Sequence, residues 1–337
     1  MFMKYLYLLA VGLAMAAFIS LPHAAFASDE FNISARAAVV MDVATGRVII
    51  SKNPDLRLPP ASTTKVMTAI LAIEKIQPAA SVKVSRHASS MSPSKINLRA
   101  GDEISVDALL YSVLLKSAND AAAALAEGVG GTEDNFARLM TEKARAIGAV
   151  NTHFVNASGL PADNHYSTAY DLALILRYAM QNPRFVEISS TKFATLNMGE
   201  KEKMLLRNHN RLLWMYDGAV AGKTGYTVAA KHCYVGEAGC NNTRLIVAML
   251  GSNNPWSDVR ALLDKGFEVA PTGKTLELED NAPVVVQASS HGRHRKAIKA
   301  SRGKHRKAKS AGKKGRARSK KKGTRGERQI ACVSSKG

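Results

Sequence analysis

The chain has 337 residues, 46% of them hydrophobic, and a formal net charge of +20. That length supports one large domain or two small ones around a sizeable core. The charge excludes a uniformly basic body: residues 293–328 hold eighteen Lys and Arg against one acid, Glu327, and without them the balance is 29 basic to 26 acidic residues.

The N-terminus reads as an export signal. Lys4 precedes an apolar run from Tyr5 to about Ser20, Pro22 breaks it, and Ala25-Phe26-Ala27 matches a small-x-small cleavage site. Cleavage is expected after Ala27. The run is short for a membrane span, which needs about 20 apolar residues. The mature protein is expected outside the cytoplasm, in a periplasm, peripheral to the membrane at most.

Ala37–Asp42 (AAVVMD) and Arg47–Ser51 (RVIIS) read as strands joined by an Ala-Thr-Gly turn. PPASTTKVMTAIL at 59–71 opens a buried helix, yet it carries Lys65 three residues after Ser62. Lysine is seldom buried without a partner. At i and i+3 on a helix the two side chains share a face, with Cβ atoms about 5–6 Å apart. Burial lowers a lysine pKa, so the pair can act as a hydroxyl nucleophile with an amine base. S-x-x-K alone is common by chance, and a bland surface pair is the ordinary explanation.

Val106–Leu115 is expected to be helical and ends at Ser117-Ala118-Asn119, a hydroxyl and an amide at a chain turn. Helices are expected at 121–129, 133–147 and 168–180, the last with Asp171 in its first turn. The period then shortens. Strands are expected at 220–225, 233–238 and 244–250, and a helix over 258–267 closes the body. Strands at both ends with helices between predict one sheet completed by both chain ends. Cys233 and Cys240 bound one strand, about 20 Å apart if fully extended, too far for a bridge. Cys233 is expected to be a buried apolar residue, and the state of Cys332 is left open.

Lys223-Thr224-Gly225 completes an ordered set: S-x-x-K, S-x-N, K-T-G. The glycine leaves room for a ligand backbone along the strand edge. Together with PASTTKVMTA, LLKSANDAAAALAE, NASGL, HYSTAYDLALI, NHNRLLW and GKTGYT, the set resembles the serine-type D-alanyl-D-alanine carboxypeptidases, low-molecular-mass penicillin-binding proteins. The likeness runs from about Arg36 to Phe267.

It implies an α/β penicillin-recognising fold, a five-stranded, mainly antiparallel sheet between helical clusters. It implies Ser62 as nucleophile and Lys65 as its base. Ser117 and Asn119 become the relay and positioning pair, with Asn119 also holding the substrate amide. Lys223 and Thr224 bind the terminal carboxylate, with Gly225 beside them. The backbone N–H groups of Ser62 and Tyr226 form the oxyanion hole. Peptidoglycan stem peptides are then substrates and β-lactams covalent inhibitors, with no metal or cofactor required. A murein endopeptidase cutting D-alanyl-meso-diaminopimelate bonds would use the same site.

A Glu-assisted β-lactamase is disfavoured, because no glutamate lies between Glu142 and Glu187. Gly218 to Lys223 falls one residue short of a phosphate-binding loop. The domain expectation is a signal at 1–27, the peptidase at 28–270, a short β-like linker at 271–290 and a disordered basic tail at 291–337. The tail suits an anionic membrane, lipopolysaccharide or wall polymer; no nucleic acid is expected of an exported chain. His291, His294 and His305 suit a basic run better than a metal site. A non-catalytic surface binder driven by the tail is the reading from another class.

Overall fold

A computed structural model describes residues 31–197 and 203–278. The chain divides into two units, residues 1–33 and 34–337, and the fold below is that of the second. The expected signal peptide, the basic tail with its three histidines, and Cys332 lie outside the described residues.

Strands β1 (Ala37–Asp42) and β2 (Val48–Lys52) form the first hairpin. A 3-10 turn, Ala61–Thr64, leads into α1 (Lys65–Lys75). A small ribbon of β3 (Ser81–Lys83) and β4 (Glu103–Ser105) brackets α2 (Arg86–Ser90). Then come α3 (Val106–Tyr111), a π-helical turn (Ser112–Lys116), α4 (Asn119–Gly130), α5 (Glu133–Ala146), α6 (Ala169–Ala179) and α7 (Pro183–Ser190). A second ribbon pairs β5 (Phe193–Asn197) with β6 (Lys203–Arg207) and precedes α8 (Leu212–Met215). Strands β7 (Ala219–Thr227), β8 (Lys231–Cys240) and β9 (Thr243–Ser252) follow, then α9 (Pro255–Val269) and β10 (Leu276–Glu277).

The main sheet runs β10-β2-β1-β9-β8-β7. Both ends of the chain complete it, as expected, because the apolar runs of β1 and β9 pair along their whole lengths. Its five longer strands are antiparallel. The sequence reading had no sixth: Leu276 and Glu277 add a two-residue parallel strand against β2. The expected linker thus begins as part of the sheet, and its remainder from residue 279 lies outside the described residues.

The sheet is buried on both faces, which is why β1 reads as an unbroken apolar run. Val39 and Met41 face the helical core, whereas Val40 lies against Gly266 of α9, where an added Cβ would come within 2.9 Å of its Cγ1. Helix α1 is the centre of the helical side, with every residue from Lys65 to Ala72 buried. A helix apolar all round belongs in a core. Caps set the helix starts: the side chains of Thr132, Thr168 and Asn182 accept backbone N–H groups from the first turns of α5, α6 and α7. The helix expected over 106–115 breaks register instead, passing at Ser112 into a π turn. Such turns appear frequently at functional sites.

Candidate active site

Ser62 stands on the 3-10 turn, one turn before α1 proper. Ala61 before it has φ +47°, a conformation uncommon for a residue with a Cβ. The turn wedges against the sheet edge. A Cβ on Gly225 would lie 2.8 Å from the Ser62 nitrogen and 3.0 Å from the Ala61 Cβ. The glycine of K-T-G therefore makes room for the serine's own turn, a reason additional to the ligand clearance expected from sequence.

Lys65 opens α1 and is wholly buried, with 0% exposure. Its Nζ lies 3.0 Å from Ser62 Oγ, 2.7 Å from Asn119 Oδ1 and 2.5 Å from the carbonyl oxygen of Ser158. Asn119 is oriented by its other side-chain atom, since Nδ2 donates to the Ser92 carbonyl at 2.9 Å. Asp120 next to it accepts the backbone N–H groups of Ile96 and Leu98, tying the start of α4 to segment 92–98. Burial drives the Lys65 pKa well below its ordinary value, and the nearby charge of Lys223 lowers it further; Glu133 and Asp120 pull the other way.

Ser117 ends the π turn with φ +62°. A left-handed serine costs about 1–3 kcal/mol and persists where its surroundings hold it. Lys223 holds it: Nζ donates to Ser117 Oγ at 2.9 Å and to the Thr224 carbonyl at 2.8 Å. Lys223 is 1% exposed, and burial brings its pKa down to about 7. It sits behind the cleft and not in it. A cleft of about 290 Å³ is lined by Ser62, Ser117, Asn119, Thr224, Gly225 and Tyr226 among others, so six of the eight predicted residues converge on one opening while Lys65 and Lys223 are buried outside its lining. Tyr226 is 57% exposed and packs at a tilt against His232, with ring centroids 4.6 Å apart.

Residues outside the expected set complete the site. The loop carrying Ser158 is fixed by Asn156, whose Oδ1 accepts from Ser158 N, Ser158 Oγ and Gly159 N while Nδ2 donates to the Leu160 carbonyl. Glu133 accepts the Ala157 N–H, and Thr68 donates to the Ala157 carbonyl. Gly159 has φ +79°, and a Cβ there would come within 1.9 Å of the Ala61 carbonyl. His165 is buried and neutral, its pKa lowered to about 4 chiefly by burial. Its Nδ1 accepts the Val155 N–H at 3.1 Å, which leaves the proton on Nε2, 3.0 Å from Thr64 Oγ1. His209 lines the cleft, and burial with the charges of Lys223 and Lys116 lowers it to about 4. The sequence offered the string NASGL only as part of the family likeness, which does not say which carbonyl meets a lysine. Cys233 is free, buried and held high by burial, at about 12, in keeping with the apolar role expected of it.

The sheet, the helical core and the serine–lysine cleft define a penicillin-recognising α/β fold of the DD-peptidase type. The family profile described as D-alanyl-D-alanine carboxypeptidase matches residues 24–254. D-alanyl-D-alanine carboxypeptidase DacF of Bacillus subtilis is 36% identical over 248 residues, covering 71% of this chain and 64% of the relative, so the chain spans somewhat under two thirds of that protein. A D-alanyl-D-alanine endopeptidase of Pseudomonas aeruginosa is 33% identical over 249 residues, 72% of this chain and 79% of that one. The crystal structure of an evolved putative penicillin-binding protein homologue from Mycobacterium tuberculosis superposes with a TM-score of 0.69 at 32% identity, covering 74% of this chain and 98% of that one. The chain belongs to the D-alanyl-D-alanine carboxypeptidase family.

Proposed function

We propose that the protein is a serine-type D-alanyl-D-alanine carboxypeptidase that removes the terminal D-alanine of peptidoglycan pentapeptide through an acyl-enzyme on Ser62. The arrangement around Lys65 supports this most directly. A neutral amine has two N–H groups and one lone pair. Asn119 Oδ1 and the Ser158 carbonyl can only accept, so they take the two N–H groups. The lone pair is left for the Ser62 hydroxyl at 3.0 Å. Ser62 Oγ then attacks the penultimate D-alanine carbonyl as its proton passes to Lys65, the backbone N–H groups of Ser62 and Tyr226 receive the developing oxyanion, and the C–N bond breaks.

The proton taken by Lys65 is relayed through the Ser117 hydroxyl to the leaving D-alanine amine. Thr224 and Ser117 present hydroxyls to the terminal carboxylate, and Lys223 supplies positive charge one hydroxyl behind them. Water then hydrolyses the ester. The protein is read as exported through residues 1–27, with residues 28–270 as the catalytic domain and the basic tail as a contact to an anionic surface.

The test is a labelled penicillin followed by muropeptides. Wild type should be labelled covalently and Ser62→Ala should not; Lys65→Ala should acylate many powers of ten more slowly while keeping its fold. Free D-alanine released from pentapeptide supports the carboxypeptidase. Cleavage confined to cross-bridged dimers would favour the endopeptidase, and absence of labelling in wild type would leave a surface binder.

A further inference from the structure

The Ser158 carbonyl accepts from Lys65, so whatever fixes the residue before it decides where that acceptor stands. Ala157 is buried, and its peptide groups are held from two helices. Thr68, one turn after Lys65 on α1, donates to the Ala157 carbonyl at 2.6 Å. Glu133, the first residue of α5, accepts the Ala157 N–H on Oε1 at 2.9 Å. Its other oxygen, Oε2, pairs with Nε2 of His87 on α2 at 2.8 Å. The chain after His87 returns to the site. There the Ser92 carbonyl accepts from Asn119 Nδ2, and the Ser94 carbonyl accepts the Asn119 N–H at 2.7 Å. Lys65 has two acceptors besides Ser62, the Ser158 carbonyl and Asn119 Oδ1. One carboxylate touches the segments that back both of them.

A neutral acceptor would hold the Ala157 N–H as well, so the charge of Glu133 needs its own reason. Its side chain is only 13% exposed, so water screens it little on the side of Lys65. Burial is the main cause that lowers the Lys65 pKa, and Lys223 on β7 is the second. Glu133 leads the charges that oppose them, ahead of Asp120 on α4. His165, the other titratable group near Lys65, is neutral, with its pKa lowered to about 4. On the far side of Glu133, His87 has its pKa raised, first by the hydrogen bond to Glu133 and also by Glu127 and Asp134. On the serine-peptidase reading above, we propose that Glu133 is a positioning residue for acylation: its Oε1 places the Ser158 carbonyl on Lys65, and its negative charge supports Lys65 as acceptor of the Ser62 proton. It does so from behind the site, without touching substrate.

Two substitutions separate reach from charge. Glu133→Gln keeps an oxygen for the Ala157 N–H and removes the charge. Glu133→Asp keeps the charge and withdraws the oxygen by one carbon–carbon bond, about 1.5 Å. The measurement is the rate of covalent labelling by penicillin from pH 5 to 9, taken per titratable site, with Tm followed alongside. Glu133→Gln should move the acid limb to lower pH, because a charge that raises the Lys65 pKa is gone. Its plateau should stay within about threefold of wild type, because the hydrogen bond is kept. Glu133→Asp should leave the limb in place and lower the plateau by about 10- to 100-fold, the scale of a misplaced contact in an active site. A merely structural role would lower Tm and the labelled fraction and leave the limb unmoved in both variants. His87 titrates in the same range, so Glu133→Gln is repeated in a His87→Gln background. The shift should persist there, since Glu133 then has no cation beside it to offset its charge. An unmoved limb in Glu133→Gln, a shift that vanishes without His87, or a wild-type plateau in Glu133→Asp overturns the proposal alone. Wild-type protein that penicillin does not label would overturn the reading of Ser62, and this proposal with it.

Discussion

Burial weakens the hold of both lysines of the site on a proton, and at Lys65 the charge of Lys223 weakens it further. Burial is the larger cause for Lys65 and Lys223 the second, so removing the Lys223 charge should raise the Lys65 pKa. The base works when neutral, and acylation falls as pH drops through its pKa. In Lys223→Met the acid limb of penicillin acylation should therefore move to higher pH, on top of a lower plateau from lost carboxylate binding. The acylation rate measured from pH 4 to 9 separates the two: a lower plateau with an unmoved limb would show that Lys223 does not tune Lys65. At this scale Ser62, Lys65, Ser117, Asn119 and Lys223 were legible in the sequence because their side chains carry the chemistry. The Ser158 carbonyl was not, because every residue has a carbonyl and only the fold selects this one.

At the scale of elements, the site is a meeting of loops held by exact clearances. The loop from Asn156 to Leu160 presses on the 3-10 turn so closely that Gly159 has no space for a methyl group, its Cβ position being 1.9 Å from the Ala61 oxygen. Gly159 also has φ +79°, where an L side chain is strained. Gly159→Ala should therefore push Ser158 away from Lys65. We expect a stability loss of at least about 1–3 kcal/mol, or roughly 2–4 °C in Tm per kcal/mol for a domain of this size. Acylation should fall in the protein that remains folded, so the rate should be taken per active site titrated by slow penicillin labelling. A variant with normal acylation and normal Tm would mean that the loop does not position the lysine.

The long strands and helices were readable because burial imposes a period on them. The ribbons β3–β4 and β5–β6 were not: β3 and β4 have three residues each, too few for any period, and on β5 and β6 a single residue per strand is buried. The π turn escaped as well, because its Ser-Val-Leu-Leu-Lys sequence is as apolar as an α-helix and only the demand to point Ser117 into the cleft distinguishes it.

For the whole molecule, charge is the dominant asymmetry. The body is close to neutral, and residues 293–328 carry eighteen Lys and Arg against one acid. Among the described residues no helix is long and apolar enough to cross a membrane. Between Ile298 and Ile330 the tail has no large apolar residue, so attachment by burying an apolar face is not available to it. Each Lys or Arg near an anionic bilayer contributes about 1 kcal/mol, so several engaged at once give reversible binding. The expected result is co-sedimentation of the protein with vesicles containing anionic phospholipid at low salt, and release at 1 M salt. A variant with every Lys and Arg from 293 to 328 replaced by glutamine should stay in the supernatant and hydrolyse soluble peptide at the wild-type rate, since none of those residues belongs to the cleft. Such attachment would act through concentration: an enzyme held at a surface would meet surface-bound stem peptides far more often than free solution allows, with its rate on soluble peptide untouched. Pelleting of the neutralised variant with vesicles, or pelleting of the wild type that ignores salt, would refute the electrostatic attachment.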